Sequence, residues 1–341
     1  MTIRFGILGA GNWGKVHAEV YSTHPRAKLV AVCDQNEAAA RRLAERFGAE
    51  RVYTDLRDLM DDPDVDAVSI AIPDFDRVQP IEHATRARKH VLVEKPLATT
   101  ADDARNIADM VERSGITLMV DFHNRWSPPF AAVKQSVERG ELGHPVSAYI
   151  HLHDTVMVPT RMLSWAGRSS VLWFLGSHCV DILRWIIGDE VESVYAVSRS
   201  GVLERMGVKT PDVYVAILQF RNGATATMEN CWILAETAPS VFDFRFELVC
   251  SAGNVKVDMS HNRTLEKYTR ESATYPGVLA DAEVLGRKQG YIYESIRHFV
   301  DCVADGRKPS VGLADGLLAT AVLVAIERSA AIGLPVKVEP L

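Results

Sequence analysis

Three glycines, Gly9, Gly11 and Gly14, follow an apolar run, Ile3–Leu8, and open a proline-free stretch from Asn12 to about Ser22. The run reads as a buried strand and the stretch as a helix, which makes Gly9-Ala10-Gly11-Asn12-Trp13-Gly14 the turn between them. Such a turn alone would be an ordinary strand-to-helix connection. Here it has a second half: Lys28–Cys33 is another β-prone run, and Asp34 ends it 20 residues after Gly14. A carboxylate at that spacing accepts hydrogen bonds from an adenosine ribose, while glycines let backbone approach a pyrophosphate and a helix N-terminus offers it free N–H groups. The pattern predicts a nicotinamide dinucleotide site lined by Gly9, Gly11, Asn12, Trp13 and Gly14. Asp34 would repel a 2′-phosphate, and neither Gln35 nor Asn36 offsets it, so NAD is expected over NADP.

At 341 residues the chain is long for one domain and comfortable for two, with a division expected between residues 1–122 and 123–341. A net charge of −6 supplies no basic field for nucleic acid or an anionic membrane surface. Five cysteines, without a CxxC pair, fit buried thiols in a reducing compartment. The first strand begins at once, leaving no room for a signal peptide, and the apolar segment Leu317–Ile326 is too short to span a bilayer. A cytoplasmic address is therefore expected.

Strand and helix patterns alternate through the first 120 or so residues. Helix Glu37–Phe47, strand Val52-Tyr53, a helical turn Asp55–Met60 and strand Ala67–Ile72 come first. Helix Val78–Arg88, strand His90–Glu94, helix Thr100–Ser114 and strand Thr117–Asp121 follow. This alternation predicts a doubly wound parallel α/β sheet with ligands at the strands' carboxyl ends. After Phe122 the texture changes. A crossover, Asn124–Pro129, and a helix, Phe130–Arg139, precede strand-like runs at Val146–His153, Val191–Ser200, Val213–Phe220, Ala224–Cys231, Phe242–Cys250, Asn254–Asp258 and Leu265–Thr269. Asn222-Gly223 is a hairpin signal. One helix, Gly176–Ile187, interrupts the strands, and helices Tyr291–Ala304 and Ala314–Ala331 close the chain. Strands joined by turns predict a large open antiparallel sheet.

Two constellations could carry chemistry. Glu94-Lys95-Pro96 ends the fifth strand at the edge where a nicotinamide would lie. Lys95 there is either a surface lysine or a donor to a substrate hydroxyl that stabilises the forming alkoxide. His178 and Asp181 are three apart on a predicted helix and share a face. They form either a structural polar pair or an imidazole whose tautomer and basicity a carboxylate sets, suited to accepting an alcohol proton.

With these motifs the chain resembles the Gfo/Idh/MocA oxidoreductases nearly end to end. The resemblance rests on Gly9–Gly14, Val91–Leu97, Phe122–Pro129, Gly140–Gly143, His178–Asp181 and Asp315-Gly316. It implies a Rossmann domain followed by an α+β domain with an open sheet, closing helices that pack back toward the first domain, and a sheet-mediated homodimer or homotetramer. It further implies that Lys95 orients the substrate hydroxyl, that His178 exchanges its proton, and that Asp181 supports the site. Two positions depart from the family pattern. Many polyol-oxidising members carry an aspartate four residues before the histidine, where this chain has Phe174. The loop that often reads Pro-Asn-x-x-His is here Pro73-Asp74-Phe75-Asp76-Arg77, so Ile72 and Pro73 are expected at the cofactor with different polar contacts around them.

Further candidates are Glu94 and Asn124 toward the cofactor and Arg125 toward substrate, although an arginine at a crossover is as often structural. His151-x-His153 puts two imidazoles on one strand face, with Asp154 adjacent. No third ligand is evident at suitable spacing, so no metal is expected, and His153 or Asp154 could instead touch substrate hydroxyls. Trp165, between Arg161 and Arg168, could face substrate or a subunit contact. The expected function is NAD-dependent oxidation of a secondary alcohol of a sugar, inositol or related polyol. An NAD-assisted hydrolase or epimerase, and a non-catalytic NAD- or sugar-sensing regulator, are the alternatives.

Overall fold

The computed structural model describes residues 1–260 and 264–341. The chain forms two compact units, one of residues 1–123 and 283–317, the other of residues 124–282 and 318–341. Residues 283–317 thus pack in the first unit, whereas a division at residue 122 assigns them to the second domain.

In the first unit the strands are β1 (Ile3–Leu8), β2 (Ala27–Cys33), β3 (Arg51–Tyr53), β4 (Ala67–Ile70), β5 (His90–Glu94) and β6 (Leu118–Asp121). They form one parallel sheet in the order β3-β2-β1-β4-β5-β6. Helices α1 (Asn12–Thr23), α2 (Glu37–Phe47), α3 (Leu56–Asp61), α4 (Val78–Arg86) and α5 (Ala101–Ser114) connect the strands. The inner strands are continuous apolar runs because helices cover both faces. Strand order reverses between β1 and β4, which places the ligand crevice of such a sheet at their carboxyl ends.

The second unit starts with α6 (Pro128–Glu138) and β7 (Pro145–Thr155). Tight 3₁₀ and π turns, including a π turn at Leu172–Gly176, lead into α7 (Ser177–Ile187). Then come β8 (Val191–Arg199), a short α8 (Val202–Arg205), β9 (Val213–Phe220), β10 (Thr225–Leu234), β11 (Phe242–Cys250) and β12 (Asn254–Asp258). Two small hairpins follow, β13 (Lys267–Tyr268) with β14 (Ala273–Thr274), and β15 (Ala282–Val284) with β16 (Arg287–Gln289). The run Leu265–Thr269 therefore contributes to a local hairpin outside the large sheet. The chain closes with α9 (Tyr291–Asp305), α10 (Leu313–Ile332) and β17 (Val336–Lys337).

The large sheet runs β12-β11-β7-β10-β9-β8-β17 and is mixed, because β7 and β10 pair in parallel. That junction departs from an all-antiparallel expectation for a topological reason. The helical crossover through α7 separates β7 from the β8-β9-β10 meander, whose last strand returns beside β7 in the same direction. Side chains alternate along the strands, and Ile150, Leu152, Met228, Ala216, Phe244 and Phe246 face the buried side. On the other side Tyr195 (40 % exposed), Val197 (47 %) and Ile217 (52 %) stand open. In the first unit α9 packs on the sheet, with Phe299 edge-on to Phe5 at 6.2 Å and Arg26 paired to Asp301 and Asp305. No helix among the described residues is long and apolar enough to cross a membrane.

Candidate active site

The glycine turn is built as a dinucleotide turn requires. Gly9 has φ +105°, and a Cβ on Gly14 would run into the Gly9 carbonyl oxygen, so neither position accepts a side chain. Around Gly11 the opposite holds: nothing lies within 4 Å of where its Cβ would be. Gly11 also caps α1 without any side-chain hydrogen bond, leaving first-turn N–H groups facing that open space. Lys15, Arg42 and Arg46 line the cavity beside the turn and add positive charge. The arrangement fits a diphosphate. Asp34 sits at the end of β2, its carboxylate accepting from Ala10 N–H (2.7 Å) and Asn36 N–H (2.8 Å). These bonds hold the carboxylate against the turn, where it can receive ribose hydroxyls.

Next along the same sheet edge, Ile72 and Pro73 extend β4. Their carbonyls accept from the buried Arg77 guanidinium at 2.9 and 3.2 Å, and a third guanidinium N–H reaches the Glu94 carbonyl. Arg77 therefore ties the β4 loop to the end of β5, which explains how this loop holds its shape with its own set of residues. Burial pushes the guanidinium down to about 10 against the pull of Glu94 and Asp74. Lys95 follows at a cis Lys95-Pro96 bond and is 5 % exposed, which sets aside the surface-lysine reading.

Glu94 belongs to a buried polar network that the sequence reading did not reach. His17, three residues into α1 beyond Gly14, bonds Glu94 Oε1 at 2.9 Å and Ser69 Oγ at 2.8 Å, and Tyr21 also meets Ser69. Asp121 lies opposite Glu94 on β6. Burial, then the Glu94 charge, raise the Asp121 carboxyl well above the usual range. Burial also acts to raise Glu94, but the His17 bond and the His17, His123 and Lys95 charges prevail and lower it. The two facing carboxyls are thus pushed in opposite directions. His123 ends this edge, stacked between Trp13 (5.1 Å) and Tyr291 (5.8 Å), and burial takes its imidazole down to about 4. His17 and Asp121 were legible only as a polar residue on the buried face of α1 and one ending a strand.

In the second unit, His178 occupies the first turn of α7 and is 6 % exposed. Asp181 has a partner that helical spacing did not show: Arg125 Nε donates to Oδ2 at 2.9 Å and Nη2 to Oδ1 at 2.6 Å. The guanidinium also lies 5.8 Å from the centre of the Trp185 ring. Arg125 thus reaches α7 through two of its nitrogens. Asn124 is buried in the one-turn segment that carries Arg125.

His153 and Asp154 part company. Strand alternation puts Asp154 on the buried, α7-covered side of the sheet, where its Oδ2 accepts from Trp232 Nε1 at 3.3 Å. His153 points to the opposite, open side, stacked on His151 at 4.3 Å and 3.4 Å from Glu229. That placement removes His153 from the His178 side, and burial followed by the His151 charge lowers its imidazole to about 4. His151 spends both ring nitrogens on Tyr149 and Asp243. Trp165 stands edge-on to Phe174 at 6.1 Å, and Phe174 packs on Trp232 at 5.7 Å, all on the Asp154 side.

A doubly wound parallel sheet with this turn and ribose carboxylate, followed by a unit built on a mixed open sheet, defines a dinucleotide-dependent oxidoreductase. Residues 3–122 match the model of an oxidoreductase family with an NAD-binding Rossmann fold, and residues 130–256 match the GFO/IDH/MocA C-terminal domain. The chain is 31 % identical to an inositol 2-dehydrogenase of Rhizobium meliloti, over 97 % of this chain and 98 % of that one. It is 30 % identical to an uncharacterized oxidoreductase of Bacillus subtilis, over 98 % and 96 %. Among solved structures, a levoglucosan dehydrogenase in complex with NADH superposes with a TM-score of 0.85 at 26 % identity, covering 100 % of both chains. A putative myo-inositol dehydrogenase of Sinorhizobium meliloti gives 0.82 at 28 %, covering 99 % and 100 %. The chain belongs to the Gfo/Idh/MocA oxidoreductase family.

Proposed function

We infer that this chain is an NAD-dependent dehydrogenase acting on a secondary alcohol of a sugar, inositol or related polyol. The observation that carries the reading is the turn at Gly9–Gly14, open only over Gly11 and clasping Asp34, followed along the same sheet edge by the buried Lys95. The activities of the inositol and levoglucosan dehydrogenases to which it is similar support the substrate class. Gly9, Gly11, Asn12, Trp13 and Gly14 hold the dinucleotide with Asp34, Ile72, Pro73, Glu94 and Asn124. Bound NAD supplies a hydride acceptor at its nicotinamide C4. His178 takes the hydroxyl proton as the carbinol hydride leaves, and Lys95 donates to the oxygen on which negative charge builds. Asp181, held by Arg125, is a positioning residue that fixes the helix turn carrying His178. Asp154 and Trp165 meet the substrate.

Cofactor choice follows from Asp34. Titration of the wild type is expected to show NAD bound at least about tenfold more tightly than NADP, about 1.4 kcal/mol. Asp34→Ala should narrow that ratio, and equal affinities in the wild type would contradict the assignment.

The open side of the large sheet carries Tyr195, Val197 and Ile217 in adjacent register on β8 and β9. A contiguous apolar stripe of this kind is normally covered. Two copies are expected to associate through it, as a dimer or a tetramer, with light scattering at micromolar concentration as the measurement. A species of monomer mass would contradict this. The five cysteines are all buried and unpaired, in keeping with a reducing, cytoplasmic address.

A further inference from the structure

Resting on the dehydrogenase reading, we propose that His17 is a positioning residue for Lys95: it holds the buried Glu94 carboxylate as a fixed negative charge that keeps the neighbouring ammonium charged while the substrate oxygen reacts. Glu94 ends β5 and Lys95 is the next residue. The Glu94 side chain is buried, and His17 is the one hydrogen-bond donor to its carboxylate among the described residues. That bond runs from Nε2 to Oε1 at 2.9 Å, and Oε2 has no partner. A desolvated carboxylate served by a single donor depends on that donor for its charge and its place.

The direction of the bonds follows from what each group can do. An ionised carboxylate only accepts, so His17 Nε2 carries the proton. Nδ1 then accepts from Ser69 Oγ at 2.8 Å, and Ser69 Oγ accepts from the Tyr21 hydroxyl. His17, Ser69 and Tyr21 are fully buried, so no water replaces a lost member. Every donation points toward Glu94, and donations in series strengthen one another. The Glu94 backbone is tied as well, because its carbonyl accepts from the Arg77 guanidinium.

The titratable groups facing Glu94 are His17 and Tyr21 on α1, Arg77 before α4, Lys95 itself, Asp121 on β6 and His123 beyond it. Burial works to raise the Glu94 carboxyl; the His17 bond leads the contributions that lower it, ahead of the His17, His123 and Lys95 charges. Attraction between two charges is mutual, so the Glu94 carboxylate favours the Lys95 ammonium as Lys95 favours the carboxylate. Without the His17 donor, burial and the facing Asp121 drive Glu94 to take up a proton, and Lys95 loses its negative neighbour.

The test is the alkaline limb of the pH profile of kcat, where Lys95 gives up its proton. It uses the full-length protein, saturating NAD and the member of an aldose and cyclitol panel that yields most NADH. His17→Leu is expected to move this limb to lower pH by about one unit, since an ammonium deprived of a negative neighbour deprotonates more readily. Above the limb that is a loss of about tenfold in kcat. His17→Gln, whose amide N–H can still donate to Glu94, should restore the wild-type position. Glu94→Gln keeps the side-chain volume and removes the charge, so it should shift the limb as His17→Leu does, with no further shift in the double variant. That variant decides the matter even where His17→Leu does not fold. A purely structural His17 would instead lower kcat by one factor at every pH. An unmoved limb in folded His17→Leu, or in Glu94→Gln, would overturn the inference while leaving the dehydrogenase reading standing. No NADH from any compound would overturn both.

Discussion

Replacing His178 by Ala is expected to lower kcat by about 10²–10⁴ with dinucleotide affinity unchanged, because the lost group accepts a proton only during the chemical step. Lys95→Ala is expected to cost about 3–4 kcal/mol of transition-state stabilisation, the usual worth of a donor aimed at developing charge. Both residues are nearly excluded from solvent, at 6 % and 5 % exposure, which strengthens their electrostatic effect on a substrate oxygen. The double variant should lose less than the product of the single losses, since the two residues serve one proton transfer. The pH profile of oxidation should rise with deprotonation of one group, and His178→Ala should lose that limb. NAD titration of each variant separates the roles: unaltered affinity with collapsed turnover is the expected result. Near wild-type turnover in both single variants would contradict the mechanism.

The second large effect concerns Arg125. Asp181 is almost fully buried, 1 % exposed, and Arg125 neutralises it through two hydrogen bonds. Arg125→Ala leaves that buried carboxylate without its guanidinium, and breaking one side of such a buried pair typically costs about 3–5 kcal/mol. The variant should unfold at markedly lower urea concentration, with the second unit's transition moving first. Asp181→Asn should lose less, because the amide oxygen still accepts one of the two bonds. Arg125→Lys should fall between, since an ammonium restores charge without the two-pronged geometry. If Arg125 were instead a substrate ligand, Arg125→Ala would raise KM and leave the unfolding midpoint unchanged.

Much of this architecture was legible because its signals are local. The Gly9–Gly14 turn, Asp34 at its spacing and the regular strand–helix alternation each depend on residues near one another in the chain. The parallel β7–β10 pairing was hidden because it depends on how a crossover returns the chain, and an apolar/polar pattern does not record its neighbour. The His153–Asp154 pair was ambiguous for a related reason. A strand reveals that consecutive side chains face opposite ways, but only the packing of α7 says which face is inside. Asp181 read as a companion of His178 since helical spacing shows partners on the same helix, whereas Arg125 reaches it from 56 positions away in sequence. The roles of Arg77 and His17 were not legible because each acts through backbone carbonyls or buried side chains contributed by other segments.

This chain oxidises a sugar or polyol hydroxyl with NAD. Purified protein, incubated with NAD and a panel of aldoses, deoxy sugars and cyclitols, tests it through the absorbance of the reduced nicotinamide. NADH formation is expected with at least one member of the panel, and its rate should collapse in His178→Ala and Lys95→Ala. Dinucleotide that binds but is reduced by no compound across the panel would contradict it and point to a sensor built on the same fold.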